Sequence, residues 1–330
     1  MEVTIWIVVL ICALALIFDF TNGFHDAANS IATVVATKTL TPKQAVMMAA
    51  FFNFIVMFFI TLKVAATIGK GIVDPSVVDL HVVFGCLVGA ISWNIITWLF
   101  GLPTSSSHAL IGGLIGATIG SAGIDAIQPG VYTILAFIVA APVIGFALGA
   151  GINTAVRNML PKENQQQTKW FRRLQLISSA LYSMGHGAND AQKTAGIVFL
   201  ILIAAGFLTK NDPIPFWVVL ASFVAMGAGT LAGGWRIVQT LGFKLTKLNP
   251  RQGFCAELGG SAMLFVASSF GIPISTTHTI TGSILGVGAS QPKPNVKWKK
   301  ASEIVLAWFL TIPLSGTLAY AFWYISTELF

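Results

Sequence analysis

From Leu80 to Ile124 the chain runs for 45 residues without one Asp, Glu, Lys or Arg. A helix needs only about 20 apolar residues to cross a hydrocarbon layer of about 30 Å, so this run is too long for one span. It carries its own interruption at Gly101-Leu102-Pro103. Proline lacks an amide hydrogen and blocks the helix before it, yet suits the first turn of a new one. The run therefore reads as a span to about Phe100, a break, and a second helix opening at Pro103 inside the membrane. Leu258–Gln291 repeats that grammar at Gly271-Ile272-Pro273.

Val3–Phe18, Gln44–Leu62, Ala126–Val156, Leu174–Asn189, Thr194–Thr209, Pro213–Trp235 and Ile304–Thr327 are also free of charge, and Gln44–Leu62 and Ile304–Thr327 read as plain spans. Only 9% of residues are charged and mean hydropathy is +0.80, against about 25% charged in soluble domains. The alternating ten-residue strands of a membrane barrel are missing. The expected fold is an all-α integral membrane protein, a polytopic helical bundle, with the lipid bilayer as its solvent. Only Met1 and Glu2 precede the first run, so it lacks the basic n-region of a signal peptide and is expected to persist as a span.

A net charge of +7 does not point to nucleic acid, because the basic residues fall in short segments between runs. Arg157, Lys162, Lys169, Arg172 and Arg173 form one group, Arg236, Lys244, Lys247 and Arg251 a second, and Lys293, Lys297, Lys299 and Lys300 a third. Such clusters mark the cytoplasmic side of a membrane protein, with both termini outward. Cys12, Cys86 and Cys255 are scattered through apolar segments, which argues against disulfides or a metal cluster.

Two motifs occur twice. Asp19 to Ser30 reads as a polar insertion that places Asp19, Asn22, His25, Asp26 and Asn29 between apolar flanks, and Gly185 to Thr194 aligns with it when Gly23 is set on Gly187, so that Asp26 falls on Asp190 and Asn29 on Lys193, an offset of 164. Pro103-Thr104-Ser105-Ser106-Ser107-His108 recurs as Pro273-Ile274-Ser275-Thr276-Thr277-His278, an offset of 170. Two motifs in the same order at nearly the same spacing indicate an internal duplication. We read residues 1–156 as a first membrane repeat, 157–173 as a short basic cytoplasmic loop and 174–330 as a second repeat. In transporters such halves contribute discontinuous helices that meet near the midplane, and an inverted relation lets two like helix ends converge.

Irregular backbone at that depth is tolerated only where it lines a cavity or is buried in protein. The free amides of a helix start favour an anion such as phosphate or carboxylate, and Ser and Thr hydroxyls add donors without a trapping charge. The hydroxyl clusters thus read as an anion site. Ionisable groups at bilayer depth cost at least about 2.5–3.5 kcal/mol each, so the carboxylates read as a cation pathway. Asn53 reads as an interhelical hydrogen bond. Glu257, at the entry to the second broken run, is either an interfacial carboxylate paired with Arg251 or a coupling-ion residue. His81, His108, His186 and His278 are candidate proton carriers, the two within the hydroxyl motifs foremost.

These residues resemble the inorganic phosphate transporter (PiT) family, whose hallmark is Gly-Ala-Asn-Asp in each half. Gly187-Ala188-Asn189-Asp190 matches fully, the first copy departs at Phe24 and His25, and Arg251 to Leu258 is also similar to that family. The resemblance covers the chain from about residue 5 onward. It implies secondary symport of inorganic phosphate by alternating access, coupled to Na⁺, or in bacterial members to H⁺ or as a metal–phosphate complex. It also implies inverted repeats and a homodimer.

On that footing phosphate is expected at Thr104, Ser105, Ser106, Ser107, Ser275, Thr276 and Thr277. Lys193 adds positive charge beside the anion or pairs with Asp190. Na⁺ is expected at Asp26, Asn29, Asn189, Asp190 and Glu257, with main-chain carbonyls freed at the two breaks. No catalytic residue and no cofactor besides the coupling ion is expected. An intramembrane hydrolase would need a strained Gly-x-Ser-x-Gly turn, which is missing. An anion channel is distinguished by its failure to concentrate solute, and sulfate is the nearest competing substrate.

Overall fold

The computed structural model describes residues 5–161 and 164–329. Met1, Glu2, Val3 and Thr4 of the opening segment, and Lys162 of the basic one, lie outside the described residues. The helices are α1 (Ile5–Ala36), α2 (Pro42–Ile55), α3 (Lys63–Gly71), α4 (Leu80–Leu99), α5 (Ser106–Ala122), α6 (Gly130–Met159), α7 (Gln165–Ala204), α8 (Phe216–Ala232), α9 (Trp235–Gln239), α10 (Pro250–Ser269), α11 (Thr276–Ala289) and α12 (Trp298–Leu329). No strand is formed among the described residues. By length and hydropathy α1, α4, α6 and α12 can each cross a bilayer.

Several expectations change. The polar stretch from Asp19 is no interruption, since α1 passes through it unbroken. Gln44–Leu62 is not a plain span: α2 ends early, and the pair α2 and α3 is bent by 86°, as α8 and the segment Trp235–Lys244 are by 60°. Most of the expected 157–173 loop is helix, with α6 running to Met159 and α7 starting at Gln165. The start of α7 is encoded locally, because Asn164 and Gln167 form a capping box. Asn249 and Gln252 do the same for α10, and Thr41 and Gln44 for α2; each box satisfies two otherwise unpaired amides.

Three arginines tie together one end of the bundle. Arg172 Nη1 donates to Lys38 O at 3.2 Å, Arg251 Nη1 to Leu160 O at 3.2 Å, and Arg157 Nη1 to Ser290 O. These contacts join the ends of α1, α6 and α11 to the starts of α7 and α10. At the far end of α6, Asp74 N donates to Ala126 O at 3.1 Å and Gln128 N to Ile72 O at 2.9 Å, beside Asp125. The hairpin of α4 and α5 opens from this acidic end, and that of α10 and α11 from the basic end.

Each hairpin packs on the last helix of the other half, α5 on α12 and α11 on α6. Gly112 and Gly116 lie against the backbone of Ile312 and Gly316, and Gly282 and Gly286 against Pro142 and Phe146, too close for any Cβ. Every one of these pairs is related by the 170-residue offset. Small residues of this kind let membrane helices approach where no hydrophobic effect drives them together.

The breaks are built identically. Gly101 (φ 63°) and Gly271 (φ 72°) are left-handed. Leu102 N donates to Thr97 O and Ile272 N to Ala267 O, both at 2.9 Å, while Gly101 N donates to Trp98 O at 2.9 Å and Gly271 N to Ser268 O at 3.0 Å. This is the Schellman ending of a helix, which takes glycine because other residues pay a steric penalty there. Gly271→Ala should cost about 1–2 kcal/mol and lower the melting temperature in detergent. Gly151→Ala, on a helix face with nothing within 4 Å, should raise stability by about 0.5–1 kcal/mol.

Candidate functional site at the two helix starts

Neither new helix opens at its proline. Ser105 and Ser275 are the N-caps, each hydroxyl accepting from the amide of the histidine three residues on, at 3.2 Å (His108) and 3.1 Å (His278). A capping side chain holds its own residue extended, so Pro103 and Pro273 stay in the break and the helices begin at Ser106 and Thr276. The two capping hydroxyls are committed. The amides of Ser106, Ser107, Thr276 and Thr277 are first-turn donors with no intrahelical acceptor.

Carbonyls at the breaks, expected to be freed, already accept side-chain hydrogen bonds at four positions. Arg236 Nη1 donates to Leu99 O at 2.6 Å and Thr240 Oγ1 to Gly101 O at 2.8 Å. In the other half, Lys63 Nζ donates to Ser269 O at 2.9 Å and Thr67 Oγ1 to Gly271 O at 2.8 Å. The bent pair of each half thus clamps the break of the other.

The helix starts meet on two carboxylates. Ser106 Oγ lies 2.8 Å from Asp26 Oδ2 and 2.5 Å from Asn22 Oδ1. Ser107 Oγ donates to Asp190 Oδ1 at 3.3 Å, and Thr276 Oγ1 to Asp190 Oδ2 at 3.0 Å, so one carboxylate joins both helices. Asn29 Nδ2 donates to Thr276 Oγ1 at 3.2 Å and Thr277 Oγ1 at 2.9 Å. Tyr182 OH donates to Thr276 O at 2.7 Å. Lys193 Nζ donates to Asp190 Oδ1 at 2.5 Å, Ser107 Oγ at 2.6 Å and Ile274 O at 2.8 Å. All of these residues are buried.

His186 was outranked by His108 and His278 in the sequence, yet it stands in the cluster. One ligand atom each from Asp26, His186 and Asp190 lie within 4.8 Å of one another. The direction of its hydrogen bonds can be followed from outside inward. Thr230 Oγ1 donates to Met226 O, so it accepts from Asn53 Nδ2 at 2.9 Å, and Asn53 Oδ1 then faces His186 Nδ1 at 3.2 Å. A carbonyl oxygen only accepts, so Nδ1 carries the hydrogen. The other ring nitrogen, Nε2, lies 3.2 Å from Asp190 Oδ2. Nε2 makes no hydrogen bond, so it stands beside the carboxylate as a nitrogen open to a further partner. The expectation that Asn53 makes an interhelical hydrogen bond holds, and the bond sets the histidine.

Other expected residues stand elsewhere. Asn189 is next to Asp190 in sequence but its amide donates to Ser268 Oγ at 3.1 Å and Ile272 O at 3.2 Å, bracing the second break. Glu257 sits in a separate buried group, accepting from Thr33 Oγ1 at 2.5 Å, Ser178 Oγ at 2.5 Å and Gln175 Nε2 at 3.1 Å. Arg251 is thus not its partner. Thr104 lies in the first break with its hydroxyl buried and unpaired. His108 and His278 touch ring to ring at 4.6 Å, and His278 stacks on Trp308 at 3.9 Å, away from the carboxylates. His25, to which no role had been given, lies with Nδ1 2.7 Å from Asp26 Oδ1, and Asp19, read with Asp26 as part of a cation pathway, is fully buried and leaves Oδ2 without a hydrogen bond.

An oxygen-rich cluster on two broken helices, closed off inside an apolar bundle, suits binding and release of a small charged solute. The relatives of the chain agree. The sequence profile described as the Phosphate transporter family matches residues 22–319. A Rhizobium meliloti protein named "Probable low-affinity inorganic phosphate transporter" is 52% identical over 309 residues, covering 93% of this chain and 92% of the relative. A Bacillus subtilis protein of the same name is 44% identical over 328 residues, covering 98% of each. Among solved structures, one titled "The sodium-dependent phosphate transporter" superposes with a TM-score of 0.86 at 25% identity, covering 98% of this chain and all of that one. Matched over nearly its whole length, this multi-pass membrane protein is a transporter and not an enzyme, and belongs to the phosphate transporter family.

Proposed function

We propose that the chain is a secondary active symporter that carries inorganic phosphate across the cell membrane with Na⁺, by alternating access of two inverted repeats. The observation that carries this is the meeting of both helix starts on Asp26 and Asp190. Phosphate would take the first-turn amides of Ser106, Ser107, Thr276 and Thr277 and their hydroxyls. Asp26 and Asp190, with Asn22, Asn29 and His186 beside them, would take the cation. One hairpin opening from each end of the bundle, and the reciprocal packing of α5 on α12 and α11 on α6, support the inverted relation. The basic end would face the cytoplasm. The homodimer rests on the family resemblance alone.

Coupling follows from the hydroxyl protons. A serine or threonine has one proton to donate; Ser107 and Thr276 direct theirs at Asp190, and Ser106 faces both Asp26 Oδ2 and Asn22 Oδ1 with its one. A phosphate oxygen competes for those same protons. A cation on the carboxylate neutralises the competing acceptor, turns the hydroxyl lone pairs toward itself and releases the protons to phosphate. Each ligand thereby raises the affinity for the other, and by linkage the factor is equal in both directions. A dianion without such compensation would carry a desolvation penalty of several kcal/mol or more.

The neighbour of matching fold is titled sodium-dependent, which supports Na⁺ as the ion. The contact of His186 Nε2 with Asp190 favours a second reading, in which a proton fills the same place. Uptake of labelled phosphate into proteoliposomes under separately imposed Na⁺ and pH gradients tests both. An inward Na⁺ gradient alone should drive accumulation above the external concentration, and excess sulfate should leave it intact. Accumulation driven only by a pH gradient would replace Na⁺ by H⁺. Equilibration without accumulation under either gradient would make the protein a channel.

A further inference from the structure

The duplicated motifs differ at one position where the difference is a full charge: Asn29 in the first half corresponds to Lys193 in the second. Lys193 was a candidate phosphate ligand, but its three ammonium hydrogens are all committed, to Asp190 Oδ1, Ser107 Oγ and Ile274 O. That shell is one carboxylate, one hydroxyl and one main-chain carbonyl, the all-oxygen donor set that hard cations take. Asn29, its counterpart, donates to Thr276 and Thr277, while its Oδ1 is buried without a donor. Thr104 Oγ1, in the first break opposite Ile274 in the alignment, is likewise buried and unpaired. The second half has its positive charge covalently in place, and the first half has unsatisfied oxygens and none.

We propose that the Lys193 ammonium is a built-in cation, filling in the second half the position that a transported Na⁺ takes in the first, so that the protein moves one cation fewer per phosphate than it would with a neutral oxygen-bearing residue at 193. This rests on the symporter reading above. Lys193 then sets stoichiometry and touches no phosphate. Its charge offsets one of the two carboxylate charges throughout the cycle, so that a single cation that comes and goes serves the pair Asp26 and Asp190.

The test replaces the ammonium by an oxygen ligand and, separately, by a chain of similar length without one. Purified Lys193→Asn should bind one more ²²Na⁺ per chain at equilibrium than the parent. Its melting temperature should rise with NaCl and not with choline chloride, beyond any rise in the parent, because a ligand that binds only the folded state stabilises it. In proteoliposomes its uptake at low Na⁺ should fall at least about tenfold and recover as Na⁺ is raised, with a Hill coefficient for Na⁺ higher by about one unit. Lys193→Met, which offers no oxygen, should show none of these Na⁺ responses. Equal Na⁺ binding by parent and Lys193→Asn, or the same Na⁺ response in Lys193→Met, would overturn the inference. The binding and melting readouts need no transport, so a parent that fails to carry phosphate would refute the symporter reading and leave the ion count to be judged separately.

Discussion

Asp190→Asn should abolish phosphate uptake and destabilise the protein together. The substitution leaves the Lys193 ammonium, 1% exposed, with no carboxylate in contact, and breaking a buried pair from one side costs about 3–5 kcal/mol. It also replaces one of the two oxygens that aim Ser107 and Thr276 by an NH2 donor, so that one of the hydroxyls joining the two helix starts loses its acceptor. We expect a loss of at least about 100-fold in uptake per folded molecule, a loss worth about 2.7 kcal/mol at 1.36 kcal/mol per decade, together with a large drop in melting temperature in detergent. Asp190→Asn/Lys193→Asn separates the two effects. With neither charge left unpaired, the double variant should regain most of the lost melting temperature, whereas uptake should return only in part, because one of the hydroxyls has still lost its acceptor. A folded Asp190→Asn protein that retains cation-coupled uptake would remove this carboxylate from the coupling machinery.

The architecture was largely legible in the sequence because its strongest signals are compositional and repeated. Uncharged runs announce membrane helices, and the paired Gly-x-Pro breaks announce two hairpins whose Schellman endings need the glycine. The hydroxyl-rich starts were legible for the same reason. What misled was treating Asp19 to Ser30 as an insertion in place of part of a helix. Read at 3.6 residues per turn, Asp19, Asn22, Asp26, Asn29 and Thr33 form one stripe of α1, and Tyr182, His186, Asp190 and Lys193 one stripe of α7. That period was available, and it would have brought His186 to Asp190 and set Asn189 about 100° away, where it braces Ile272 O. Glu257 was beyond such reasoning. Its partners Thr33 on α1 and Gln175 and Ser178 on α7 are distant from it in the chain and become its neighbours only through packing. The roles of Ser105 and Ser275 were equally hidden, since a run of hydroxyls does not say which one caps.

That last distinction yields the sharpest test of the anion site. Ser105 and Ser106 are adjacent and chemically identical, yet one accepts from His108 N as a cap while the other turns its hydroxyl to Asp26 Oδ2 and Asn22 Oδ1. Ser105→Ala should cost about 1 kcal/mol of stability as the loss of a cap, with little change in the phosphate concentration that half-saturates uptake. Ser106→Ala and Thr276→Ala should each do the reverse. Hydrogen bonds to a charged partner are worth about 1.5–3 kcal/mol, so each should raise that concentration about 10- to 100-fold while the fold is kept. The double variant decides whether the two helix starts share one solute. Residues touching the same ligand are coupled, and their losses fail to add. We expect the combined loss to differ from the sum of the single ones by about 0.5–3 kcal/mol, measured as phosphate affinity by uptake and by equilibrium binding to the detergent-solubilised protein. Strict additivity with unchanged phosphate affinity in either single variant would mean that only one of the two starts holds the anion, and the argument for a site built jointly by both halves would fail there.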